Sequence, residues 1–424
     1  MALDPEELQK RRMERQQRRQ ARQRRSIVKL VVAVLVLLFA AAVIIALLGR
    51  GSDTPSQPEQ TTQTGSQETG QTQTQQTQAA ENQDTVIRFA AVGDVNITER
   101  TIASGGAGYD YSPVFLDVAH LLADADITAM NLEGVLADEP SAQDRVAPRQ
   151  LLQELQGCGV DLCQVANSYC LSKGVSGLSG TVTQLRGLGL EPLGAFESNE
   201  AFSESGGYTL LDVRGVRVAV VAFTKGMDGT ALPQGNENRV NLLYEDYAST
   251  YQTIDEARIT RVLSAVQKAK PDITIALLHW GSEYNDTVST SQKKLVELMQ
   301  KNGVDAIIGT HSHFVQQMTH DPETGNFVAY CLGDFLGDAQ RAGTEYSVIL
   351  NLEITKKADG TTKVTGYDYT PIFTVNETEK PLKVVRIREA MAAYEAHQLD
   401  RVEESTYNAM QYALGRIEKR VKGE

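Results

Sequence analysis

Residues 273–313 read ITIALLHWGSEYNDTVSTSQKKLVELMQKNGVDAIIGTHSH. Two apolar runs of strand length, 273–278 and 304–309, flank a segment whose apolar residues recur at helical spacing and which stops at Gly303. A strand, a helix and a second strand in that order predict a crossover unit with parallel strands. The same alternation continues outward. VIRFAAVGD (86–94), ITAMNLEG (127–134), VDLCQVAN (160–167), EPLGAF (191–196), VRVAVVAFT (216–224) and FVAYCLGDF (327–335) read as further buried strands. Helical patterns lie between them, among them RQLLQELQGC (149–158) and ITRVLSAVQKAK (259–270). The fold class is therefore α/β. TLLDVRGVRVAVV (209–221) predicts a hairpin turning at Arg214-Gly215, and 351–373 offers more β structure to close an edge. SPVFLDVAHLLADA (112–125) predicts a helix capped by Ser112, and the stretch after Lys380 reads as helical.

The places where the apolar runs stop carry the chemistry. One run ends at Asp94, others at Glu133, Asn167 and His279, and another at His311 and His313. In open α/β sheets the C-terminal strand edge is where sites assemble. Each residue alone has a plainer reading: a helix cap for Asp94, a turn residue for Asn167, a satisfied buried histidine for His279. His311 and His313, two apart on an extended segment, would point the same way. Carboxylate, amide and imidazole ligands together match the mixed set of a two-metal hydrolase, in which a shared carboxylate joins ions roughly 3.5–4 Å apart. The expected cofactor is a divalent metal, two ions of Mn, Zn or Fe. The Gly-rich loop at 105–108 has no Lys-Ser/Thr after it and is no P-loop, and GVSGLSG (174–180) has the wrong spacing for a nucleophile elbow.

Charge is distributed unevenly along the 424 residues. The formal net charge is −13. Residues 1–29 hold ten Lys/Arg against four Asp/Glu, which leaves roughly −15 for residues 85–424. So acidic a domain repels polyanions at long range, which argues against nucleic acid as a partner. The basic tail at 1–29 precedes an uncharged apolar run at 30–48, LVVAVLVLLFAAAVIIALL. At 1.5 Å per residue it would span roughly 28 Å, close to a bilayer's hydrocarbon thickness. It is longer than a signal peptide's apolar region and lacks an A-x-A site after it. The arginine-rich flank predicts a single-pass anchor in the cell membrane with a cytoplasmic N-terminus and the large domain outside. Residues 49–84 are mostly Gln, Thr, Ser and Gly and cannot form a core, so they read as a tether. A domain at 85–375 and a helical tail at 376–424 complete the expected organisation. The four cysteines, Cys158, Cys163, Cys170 and Cys331, make no disulfide framework; core packing is expected, with one disulfide left open.

Taken in order, AVGDVN (91–96), NLEG (131–134), the AN…GVSGL segment (166–178), LLHWGSEY (277–284), GTHSHFVQQ (309–317) and YCLGDF (330–335) resemble the bacterial capsule-synthesis CapA family of poly-γ-glutamate synthesis, over roughly residues 86–340. The resemblance implies a calcineurin-like metallophosphoesterase fold, a four-layered α/β/β/α sandwich. It also implies a role with an anionic cell-surface polymer and with other capsule or polymer synthesis components. Carried over by motif, Asp94 binds a first metal and Glu133 is the bridging or second carboxylate. His279 and His311 complete the second site and His313 the first, with Asn167 as an amide ligand. The family's ANNH is here ANSY (166–169), so Tyr169 stands where a proton-donating histidine is expected and joins His279 as a candidate catalytic residue. Ser172 replaces an expected aspartate, and Asn96 stands where many metallophosphoesterases have histidine. Two readings stay open: a metal-dependent hydrolase of a phosphoester or amide, and a non-catalytic polymer-binding component with a degenerate site.

Overall fold

The computed structural model describes residues 83–339, 341–398 and 403–424. The basic tail, the apolar run at 30–48 and nearly all of the tether lie outside them. Among the described residues no helix is long and apolar enough to cross a membrane.

The strands are β1 (Thr85–Asn96), β2 (Ile127–Glu133), β3 (Val135–Leu136), β4 (Val146–Ala147), β5 (Leu162–Gln164), β6 (Glu191–Leu193), β7 (Thr209–Val213) and β8 (Val216–Thr224). They continue with β9 (Ile273–His279), β10 (Ala306–Thr310), β11 (Met318–His320), β12 (Phe327–Ala329), β13 (Asp334–Leu336), β14 (Tyr346–Lys356), β15 (Thr362–Val375) and β16 (Lys383–Arg386). The helices are α1 (Glu99–Ala103), α2 (Ser112–Phe115), α3 (Ala119–Asp124), α4 (Arg149–Cys158), α5 (Gly174–Gly187), α6 (Asn199–Ser205), α7 (Glu256–Lys268), α8 (Thr290–Lys301), α9 (Ile387–Glu395) and α10 (Glu404–Lys422).

One sheet runs β16-β15-β14-β1-β2-β5-β6, with β13 joined to the end of β1; the other runs β11-β12-β10-β9-β8-β7. Strand alternation explains how they stack. On β8, Val216, Val218, Val220 and Ala222 enter a core shared with Phe89, Ala91 and Ala129 of the first sheet. Ala219, Val221 and Phe223, on the opposite face, meet Ile259, Val262 and Val266 of α7 and Leu295 and Met299 of α8. Strands buried on both faces read as unbroken apolar runs, which is why 273–278 shows no alternation. The first sheet's outer face is likewise covered: Thr128 of β2 bonds the Leu122 carbonyl of α3, and α5 packs on β6. Helix, sheet, sheet and helix are therefore layered in that order.

The β9–α8–β10 unit forms as expected, with parallel strands paired Thr310↔His279 at their ends. Ser289 caps α8 and Gln292 closes the reciprocal capping box. The hairpin turns at Arg214 and Gly215, both at positive φ, as a two-residue turn between twisted strands requires. Three expectations need correction. The 112–125 helix is two short helices, and Ser112 lies inside the first, whose N-cap is Tyr111 without a side-chain bond. The β structure at 351–373 does not end the sheet, because the segment after Lys380 first adds β16 beside β15. The C-terminal residues are also no separate tail: Met410, Ala413, Ile417 and Val421 of α10 complete the inter-sheet core. All four cysteines are buried thiols, none of them in a disulfide.

Backbone proximity at the end of β1 is close. The Asp94 N–H donates to the Gly333 carbonyl at 3.1 Å, and a Cβ on Gly93 would lie 1.8 Å from that same oxygen. Gly93→Ala therefore forces β1 and the 333–336 segment apart. The expected cost is about 2–3 kcal/mol, read as a lowered urea midpoint. A shift below about 0.5 kcal/mol would show that the two backbones are not so close.

Candidate metal centre

The C-terminal ends of β1, β2, β9 and β10 converge where the two sheets meet. Asp94 is fully buried on β1, and its Oδ2 accepts the His311 backbone N–H at 3.0 Å, joining one sheet to the other. Asn131 and Glu133, two apart on β2, point to the same side. Asn131 Nδ2 donates to Asp94 Oδ1 at 2.6 Å and to Glu133 Oε1 at 2.8 Å. His279 ends β9 with Nδ1 3.2 Å from Glu133 Oε1 and 3.2 Å from Thr310 Oγ1. Its Nε2 accepts the Ser168 backbone N–H at 3.3 Å.

Beyond β10 the chain leaves the extended conformation. His311 and His313 have φ of 87° and 59°, the left-handed region that costs a non-glycine residue energy. The two imidazoles thus do not share a strand face as the i, i+2 argument held; a turn presents them, with rings 6.2 Å apart. His313 Nδ1 lies 2.7 Å from Asp334 Oδ1 and 3.7 Å from Asp94 Oδ2. Asp334 was not singled out from sequence, yet LGD (332–334) repeats the strand-end pattern of VGD (92–94), and the two aspartates are register partners across β1 and β13.

Among the described residues ligand atoms gather in three groups: Asp94 with Glu133 and His279, Asp94 with His313 and Asp334, and His311 with His313 and exposed Glu283. Asp94 belongs to the first two, so the shared carboxylate is Asp94, with Glu133 the second. Asn167 sits beside them, but its amide is engaged. Nδ2 donates to the Leu132 carbonyl, and Oδ1 accepts the Tyr169 N–H at 3.0 Å. Asn167 therefore braces the floor of the site. Tyr169 is half-buried at the rim with the Arg145 guanidinium 4.6 Å from its ring centroid.

The charges conflict with one another as metal ligands should. Burial raises Asp94 to about 6, against the His313 charge that favours its ionised form. Burial and then the repulsion of Asp94 raise Glu133 to about 8. Burial holds His279 and His311 well below the ordinary histidine value, which favours neutral imidazoles. Burial also opposes charge on His313, but Asp334 outweighs it and lifts it to about 10. The His313 charge compensates Asp94 and Asp334 in part, and a divalent cation in its place would serve the same need. Among the described residues His311 Nε2 is buried without a hydrogen-bond partner, a ligand position left open. The donor set fits divalent ions taking oxygen and imidazole.

Two facing sheets flanked by helices thus carry a carboxylate–histidine centre shared between strand ends. The chain belongs to the bacterial capsule synthesis protein PGA_cap family, whose model matches residues 88–339. It is 24% identical over 318 residues to the PGA biosynthesis protein CapA of Bacillus subtilis (strain 168), covering 71% of this chain and 75% of that protein. It is 25% identical over 255 residues to the capsule biosynthesis protein CapA of Bacillus anthracis, covering 58% of each. Among solved structures it is similar to the calcineurin-like phosphoesterase YfkN from Bacillus subtilis, with 14% identity, TM-score 0.41, and 78% of this chain and 99% of that one covered.

Proposed function

We propose that this protein is a membrane-anchored, cell-surface component of capsule or poly-γ-glutamate synthesis or export, with a two-metal site that hydrolyses a phosphoester or amide. The observation that carries the reading is Asp94 shared between two ligand groups, one with Glu133 and His279 and one with His313 and Asp334. Mn²⁺, Zn²⁺ or Fe ions held there would supply an activated water and a positive charge for the leaving oxygen. Asp334 lies against His313 Nδ1 within its ligand group, Ser168 and Thr310 fix the His279 ring, and Asn167 anchors the Tyr169 backbone. Tyr169 faces the same cleft as Asn96 and His313 and is a rim residue able to deliver a proton. Anchoring rests on the run at 30–48 and its arginine-rich flank. Partners would be the cell membrane, the anionic polymer and other synthesis components.

A second reading, a polymer-binding component without turnover, draws on two observations. Tyr169 replaces a better acid, and the Asn131 amide nitrogen sits between the two carboxylates of one ligand group, where it compensates their charge. The test is metal analysis of the purified full chain, with turnover of a generic phosphodiester and of a γ-linked glutamate oligomer. The hydrolase reading expects about two transition-metal ions per chain and metal-dependent turnover. Absence of turnover, with or without bound metal, removes the hydrolase reading and selects the second.

A further inference from the structure

The acidic domain poses a problem for any anionic polymer: the catalytic floor holds Asp94, Glu133 and Asp334, and Asp338 lines the same cleft. Two cations stand at its mouth. Arg145 and Arg341 line this cleft of about 50 Å³ together with Tyr169, Tyr284, His313 and Asn96. Each guanidinium lies over a tyrosine ring, Arg145 at 4.6 Å from Tyr169 and Arg341 at 4.1 Å from Tyr284. Tyr284 in turn stacks on His313 with ring centroids 5.2 Å apart. A metal-ligating imidazole, a phenol and a guanidinium thus form one column leading out of the site.

The two arginines are held differently. Arg145 is half-buried at a φ of 55°. Its carbonyl accepts the Val135 N–H at 2.9 Å, two residues after Glu133. One arm of its guanidinium donates to the Ile97 carbonyl at 3.1 Å, just beyond Asp94. Both strand ends of the site therefore fix it. Gly134 is required there, since a Cβ would meet the Arg145 carbonyl oxygen at 2.3 Å. A non-glycine residue kept in the left-handed region by surrounding contacts is the kind of strain that accompanies function. Arg341 is exposed, its carbonyl bonded by Thr344. Among the described residues neither guanidinium forms a salt bridge with a carboxylate, although acidic groups outnumber basic ones in the chain. Stacking orients a guanidinium plane while leaving its edge donors free, and those donors match an oxyanion in a bidentate way.

We propose that Arg145 and Arg341 form an oxyanion clamp at the mouth of the metal centre. In it they grip a phosphate or carboxylate of a substrate whose reacting bond lies over the Asp94 floor. This rests on the reading of that floor as a metal site and names what it selects: a chain carrying an anionic group next to the bond presented, not a neutral ester or amide. The arginines supply short-range recognition that the domain's overall negative charge opposes at distance.

The test uses the purified full chain saturated with Mn²⁺. Inorganic phosphate and a γ-linked glutamate oligomer are titrated separately by calorimetry into the parent chain, Arg145→Gln, Arg341→Gln and the double variant. Each single change should weaken binding about tenfold or more, with Mn²⁺ content unchanged. Should Arg145→Gln not fold, Arg145→Lys retains the charge but loses the fork, and an intermediate affinity is expected. Tighter binding of the oligomer than of phosphate assigns the clamp to a polymer carboxylate, and the reverse assigns it to a phosphate. Unchanged affinity in a metal-loaded double variant overturns the clamp, as does a metal-loaded parent chain that binds neither anion. A chain that holds no metal yet binds anions through the two arginines removes the hydrolase reading and leaves the clamp standing.

Discussion

Asp94→Ala should empty both metal positions together, whereas Asp334→Ala or His279→Ala should each empty one. Asp94 is the carboxylate that both ligand groups share, while Asp334 and His279 serve one group apiece. Removing a shared ligand deprives each ion of an oxygen and of the charge that holds the pair close. Loss of an outer partner that merely orients a ligand costs 10–100-fold in affinity, so loss of a direct, shared ligand should exceed about 100-fold for both ions. The measurement is metal content per chain after gel filtration, across the three variants and the parent. His311→Ala discriminates further. The buried Nε2, without a partner among the described residues, predicts that this change weakens metal retention although it breaks no hydrogen bond at that nitrogen. Equal losses in the Asp94, Asp334 and His279 variants would mean one ion, or none, and would remove the shared role.

Much of this centre could be read from strand ends. Asp94, Glu133, His279, His311 and His313 were each placed at the C-terminal edge by the stopping point of an apolar run, and the structure brings them together. That succeeded because parallel strands buried on both faces leave an unmistakable continuous pattern. Asp334 escaped because β13 is a three-residue strand, paired to β1 by a register that a sequence does not display. Asn131 escaped because it lies inside β2, and its orientation toward Asp94 follows from an i, i+2 relation to Glu133 that only the known face makes meaningful. The geometry of His311 and His313 was misjudged for a physical reason: the strand ends at Thr310, and the left-handed turn beyond it is a tertiary imposition. Arg145 and Arg341 carry no signal at all in the sequence, because loops rather than strand ends place them. The C-terminal β16 is four residues long and precedes a strong helical pattern, so periodicity favoured helix throughout.

Tyr169→His should raise turnover of a phosphodiester by about 10²–10⁴-fold in Mn²⁺, provided that the hydrolase reading holds. Burial raises the Tyr169 hydroxyl further above its ordinary value near 10, and the negative charge of Glu133 adds to it, with Arg145 opposing. A phenol so placed keeps its proton at neutral pH but releases it reluctantly to a leaving oxygen. An imidazole titrates near 6.5 and lies much closer to the working pH. The backbone supports the exchange, since the residue 169 N–H is already fixed by Asn167 Oδ1 at 3.0 Å and Arg145 can stack on either ring. Tyr169→Phe separates the alternatives. If the parent chain turns over and the phenylalanine variant does not, the tyrosine is itself the donor, working below the rate a histidine would allow. If neither the parent nor Tyr169→His turns over while both retain metal, proton delivery is not what the site lacks. The Asn131 amide between Asp94 and Glu133 then becomes the feature that matters, and the centre serves to hold an anionic polymer rather than to cut it.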